Sequence, residues 1–139
     1  MNKIIIILIV LGLTGCAPSG PRSAAEISGE YGYQYKSGQV EVVILSSNFS
    51  YVHYLYPNME SYRQKAGALF TNNGTWSYEG NILKSDDWSD FFSYVDISKP
   101  EIPRLHEIWE SSWAPPTKDS DARIIVAVDL GYILDRVKR

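Results

Sequence analysis

Two histidines, a single cysteine and three closely spaced aspartates are the side chains from which a catalytic or metal centre in this chain would have to be built. Imidazole is the usual acid–base group and metal ligand near neutral pH, yet neither His53 nor His106 has a second His or a Cys at ligand spacing. Asp86, Asp87 and Asp90 offer hard oxygen ligands of the kind calcium collects in sets of about six to eight. The glycine and distal glutamate of a calcium loop are missing around them, so they read as a solvated loop. A serine nucleophile elbow, a glycine-rich phosphate loop and a zinc motif are likewise not found. The chain therefore reads as a non-enzyme, with no cofactor and no metal site.

Aromatic residues carry the remaining chemical potential. Ten tyrosines and four tryptophans are present, and Tyr31, Tyr33, Tyr35, Tyr51, Tyr54, Tyr56, Trp76 and Tyr78 fall in stretches with β character. Small barrels hold a ligand between such walls, while the same alternation serves equally to fill a core and pack cross-strand pairs outside. If a cavity exists, Tyr33, Tyr51 and His53 are its expected lining, because each joins an apolar body to a polar tip. The small-molecule ligand is left open at this point.

The elements that position these groups follow from period-2 patterning. Residues 29–35 alternate Tyr with small or polar residues, 40–45 form a β-branched run, and 49–56 place Phe49, Tyr51, His53 and Leu55 on one face. Residues 59–65 read as a polar connection. Residues 68–78 read as one long, bent strand with a bulge at Gly74, turning at Gly80-Asn81 into Ile82-Leu83-Lys84. Beyond Lys84 the pattern breaks. Ile102, Leu105, Ile108 and Trp109 have helical spacing, which suggests a short helix from Pro103 to Glu110. Residues 112–118 read as an edge strand because of Pro115 and Pro116, and residues 123–129 and 132–138 as two final strands. The expectation is an all-β domain: a single antiparallel meander of about seven strands, forming a small barrel or strongly curved sheet with one short helix.

Residues 1–15 place Lys3 before the apolar run Ile4–Leu13 and a small-residue cleavage site, the layout of a secretory signal. The run is well short of the roughly 20 apolar residues that span a bilayer. Leu13-Thr14-Gly15-Cys16 resembles the bacterial lipobox, which implies cleavage before Cys16 and lipidation of that cysteine on its sulfur and amino group. Several acyl chains make a durable anchor where one is marginal. Residues 16–27, rich in Ala, Pro, Ser and Gly, read as a lipidated tether and residues 28–139 as the folded domain. Loss of Lys3 with the signal takes the formal charge from −3 to −4. That acidic balance argues against a nucleic-acid partner.

Short strands at hairpin spacing, Gly74-Thr75-Trp76 and the closing Asp129-Leu130-Gly131-Tyr132 with a basic last strand look like small bacterial lipoproteins with a lipocalin-like β-barrel or half-barrel. In lipocalins a Gly-x-Trp on the first strand packs against a late basic residue. Here Gly29-Glu30-Tyr31 stands in that place, with Arg136 as the basic partner. The resemblance implies a lipid-anchored protein of the cell envelope, facing the periplasm from the outer membrane where the source has two membranes. Its expected partners are the membrane, through lipid on Cys16, and an envelope protein. The expected role is structural or interactive, with a lipocalin-like binding module as the alternative.

Overall fold

The computed structural model describes residues 23–97 and 99–138, so Cys16, the signal and most of the tether lie outside the described residues. Eight antiparallel strands follow one another round a closed barrel: β1 (Gly29–Gln34), β2 (Val40–Leu45), β3 (Ser50–Tyr56), β4 (Phe70–Glu79), β5 (Ile82–Asp90), β6 (Arg104–Ala114), β7 (Arg123–Ala127) and β8 (Tyr132–Arg136). The all-β meander is as expected, with one strand more. Closure comes from β1 against β8, where Tyr31 lies opposite Arg136 and Gly32 opposite Asp135.

The first four strands match the period-2 reading, with two changes. β4 has no bulge at Gly74, where its register with β3 is unbroken. Phe49 is not on the β3 inner face but in the preceding turn at φ 66°, half exposed against Trp76 and Tyr78. Residues 59–64 are a helix, α2 (Met59–Gln64), rather than an irregular connection. The Asn58 side chain accepts the Ser61 N–H at 2.9 Å, an N-cap worth about 1 kcal/mol, and Lys65 ends the helix in left-handed conformation. Met59 and Tyr62 then lie over Val40, Val42 and Tyr56 on the outside of the barrel, so those β2 residues are buried on both faces.

The larger corrections concern β5 and β6. The pattern break after Lys84 is not a loop: β5 continues to Asp90, and residues 104–114 are strand throughout, replacing both the Pro103–Glu110 helix and the edge strand at 112–118. β5 bends inward at Asp87, which has φ 48°. It runs close across β4 at Gly74, where an added Cβ would meet the Asp86 carbonyl oxygen and the Tyr51 ring, both at 2.8 Å. Thr75 donates its N–H to Asp86 Oδ1 at 2.5 Å and its hydroxyl to Asp86 Oδ2 at 2.8 Å. A glycine here is thus required by close approach.

Both ends of the barrel are filled. At the N-terminal end a helical turn, α1 (Ala24–Ile27), drives Ile27 into the interior, so the stretch assigned to the tether ends inside the folded unit. At the opposite end Phe91, Phe92 and Val95, around a π-helical turn at Ser93–Ile97, pack down onto Tyr132, Tyr33 and Phe70. Asp90 caps that turn, accepting from Ser93 N at 2.9 Å and Ser93 Oγ at 2.6 Å.

Candidate functional site

Tyr33, Tyr51 and His53 do converge on the barrel interior, because alternation along β1 and β3 turns them inward. They do not surround a void. His53 stacks on Trp88 with ring centres 4.1 Å apart and meets Phe91 at 4.3 Å. Tyr51 donates to the Asp86 carbonyl at 2.5 Å and touches Trp88. Burial and the neighbouring Asp86 and Asp87 push the Tyr51 phenol up to about 12, against a smaller downward pull from its hydrogen bond with Asn72. Tyr33 packs edge-on to Tyr35 and Tyr132. The four main recesses among the described residues, of about 150 to 430 Å³, open on the surface; Tyr51 and His53 line none of them, and Tyr33 borders only the groove beside α2. The expected ligand lining is therefore a packed core, because β5 and the Phe91–Val95 plug fold into the space a ligand would take.

At the centre of that core is a carboxylate. Glu41 is fully buried, and its Oε1 accepts from Tyr132 at 2.5 Å and meets His53 Nε2 at 2.7 Å, while Oε2 accepts from Tyr35. Burial, reinforced by the Glu41 charge, holds the Tyr35 and Tyr132 phenols far above their ordinary range, so both remain donors. His53 Nδ1 is buried without a hydrogen-bond partner among the described residues. The cluster has the members of an acid–base site, and the rings of Trp88 and Phe91 pack directly against its His53. With both carboxylate oxygens bonded and His53 Nδ1 left over, it reads as a polar core that fixes one packing arrangement around Glu41. Sequence reasoning found His53 but missed its partner Glu41 and the two tyrosines, Tyr35 and Tyr132, that donate to the same carboxylate. The available signal was a lone acid inside the run Val-Glu-Val-Val-Ile-Leu, on the inward parity of Val43 and Leu45.

The N-terminal end has its own network. Tyr31 donates to the Ile27 carbonyl at 2.5 Å and accepts from Trp113 Nε1 at 3.0 Å and from Arg136 Nη2 at 2.8 Å. Arg136 Nη2 also reaches the carbonyl oxygens of Glu26, Ile27 and Ser28, and its guanidinium lies 5.2 Å from the centre of the Tyr31 ring. A Cβ on Gly29 would come within 3.1 Å of Arg136 Nε. The expected packing of Gly29-x-Tyr31 against Arg136 is thus present, with Tyr in the role of Trp.

The three aspartates and His106 are held by local contacts. Asp86 is bound by Thr75 and Asp90 by Ser93, while Asn72 donates to the Asp87 carbonyl, so the three aspartates are spread along β5. Among the described residues no group of three or more His, Cys, Asp or Glu is placed to hold a metal ion. His106 lies 3.4 Å from Asp90 and against Trp109. No helix among the described residues is long and apolar enough to cross a membrane. No protein-family model matches the chain, and comparison with curated proteins and with solved structures finds no match.

Proposed function

We propose that this chain is a lipid-anchored protein of the bacterial envelope whose barrel serves as a structural or protein-interaction module rather than as a carrier of small molecules. The supporting observation is the packed interior: Tyr51, His53, Trp88, Phe91 and Tyr132 occupy the volume that a lipocalin-like binding module would leave open. The Tyr31–Arg136 closure supports kinship of design with lipocalin-like barrels, and it commits the N-terminal end to closure as well. A function that uses the outer wall and rim follows from such a solid body. The anchoring half of the reading rests on the lipobox at Leu13–Cys16.

The test is to express the full chain and its Cys16→Ser variant in a bacterium. The native chain is expected in the membrane fraction, cleaved before Cys16, with an intact mass raised by acyl groups. The variant is expected as a soluble or uncleaved precursor with an intact β domain. A variant that stays fully membrane-bound and correctly cleaved would refute the anchor.

A further inference from the structure

The β6 strand is paired unequally along its two edges. On the β5 side it is laddered from Arg104 to Ser112, but on the β7 side only Ser112, Trp113 and Ala114 find partners. From Arg104 to Ser111 its second edge has no ladder partner among the described residues, because β7 ends at Ala127 and the chain turns away. Such a row of free N–H and C=O groups is a template for another strand, and proteins usually blunt it with Pro, charged side chains (Lys above all) or a bulge. This stretch, Arg-Leu-His-Glu-Ile-Trp-Glu-Ser, contains neither Pro nor Lys, and its charges, Arg104, Glu107 and Glu110, are of mixed sign; prolines stand outside it, at 103 and 115–116. It also leaves Leu105 58% and Ile108 65% exposed, which the interior does not use.

We propose that this edge is a self-association surface, at which two copies of the chain pair antiparallel through β6 to make one continuous sheet. A twofold axis normal to the sheet places residues of the same face opposite each other, so the register must centre on a residue. Centred on Ile108, the pairing sets Ile108 against its own copy and His106 against Glu110 on both sides. It also sets Leu105 against Ser111, so all seven residues 105–111 lie within the open stretch. Centred on Glu107 it would instead oppose two carboxylates, which is unfavourable. The apolar residue at the axis and the two flanking imidazole–carboxylate pairs are the self-complementarity that selects a second copy over an unrelated strand. The two barrels then run antiparallel, with their N-termini at opposite ends of the pair. The proposal does not depend on lipid at Cys16.

The full chain in mild detergent is the material for the test. Native protein is expected to sediment at twice the monomer mass. Ile108→Lys, which opposes two ammonium groups at the axis, is expected to weaken dimerisation by about tenfold or more, whereas Ile108→Val keeps it. In a thiol cross-linking assay with a short bifunctional reagent, Ile108→Cys is expected to give a doubled mass. The native chain, with Cys16 alone, and Arg63→Cys on α2, which covers β2 across the barrel from β6, are expected not to. Because Ile108 is exposed, circular dichroism of the variants should be unchanged. A monomeric native chain would overturn the proposal. So would a dimer indifferent to Ile108→Lys, cross-linking at Arg63→Cys as fast as at Ile108→Cys, or an Ile108→Cys adduct formed only with a different protein.

Discussion

Removing the Glu41 carboxylate tests the polar core most sharply. Glu41→Ala deprives three buried donors of their acceptor at once: the hydroxyls of Tyr35 and Tyr132 and the His53 Nε2 group. A buried donor left without a partner costs about 1–3 kcal/mol, so three of them sum to about 3–9 kcal/mol before any cavity is counted. Small domains hold about 5–15 kcal/mol in total, so Glu41→Ala should leave the barrel marginal. Glu41→Gln keeps one acceptor oxygen and should lose less. Tyr132→Phe removes a single donor while Tyr35 and His53 still satisfy the carboxylate, and should cost about 1–2 kcal/mol. Urea unfolding followed by tryptophan fluorescence reads these differences as midpoint shifts at constant slope, with Trp88 reporting directly because it stacks on His53. The Glu41 and Tyr132 effects should be non-additive, since they share one hydrogen bond. A loss below about 1 kcal/mol for Glu41→Ala would refute the reasoning, because a surface substitution costs about as little.

Two further outcomes follow from the same core. Trp76 is buried and donates from Nε1 to the carbonyl oxygens of Ser46 at 3.0 Å and Ser50 at 3.1 Å, so Trp76→Ala should cost about 3–5 kcal/mol by chemical denaturation; a change under about 1 kcal/mol would place it on the surface. The phenols of Tyr35, Tyr51 and Tyr132 are all raised by burial, which sets the alkaline limit. Their protonated form is favoured by the fold, so stability is full below the unfolded tyrosine value of about 10 and falls as pH rises from there through about 12 and above. Tyrosinate absorbance of these residues should therefore appear together with loss of β-sheet circular dichroism in that window, and tyrosinate signal from an intact barrel near pH 10 should come from exposed tyrosines alone.

Much of the barrel was legible because β1, β2 and β3 are joined by turns with strong local chemistry and β3 and β4 alternate between more and less buried residues. The inward parity of Tyr33, Tyr51 and His53 could be read from those strands alone. β5 and β6 could not, and the reason is geometric. Asp87 breaks the alternation where β5 folds into the barrel, so Ser-Asp-Asp-Trp-Ser-Asp has no single buried face. Along β6 the apparent helical spacing of Ile102, Leu105 and Ile108 is a row of exposed side chains. Periodicity reports a structure only when burial produced it. α2 is too short for its period to register, and its N-cap Asn58 was the better sign. The filling of the interior was out of reach for a similar reason, since alternation places Tyr and His inside without saying what meets them from the other side.

The packed interior is the central claim, and a ligand titration tests it most directly. Any molecule entering the barrel must displace Phe91 or Phe92 and disturb the stacking of Trp88 on His53. Intrinsic fluorescence of the full chain, titrated with fatty acids, lysophospholipid and envelope glycan fragments, is predicted to stay flat. A saturable change with any of them, lost in a folded Tyr33→Ala, Tyr51→Ala double variant, would contradict it and make the barrel a binding module.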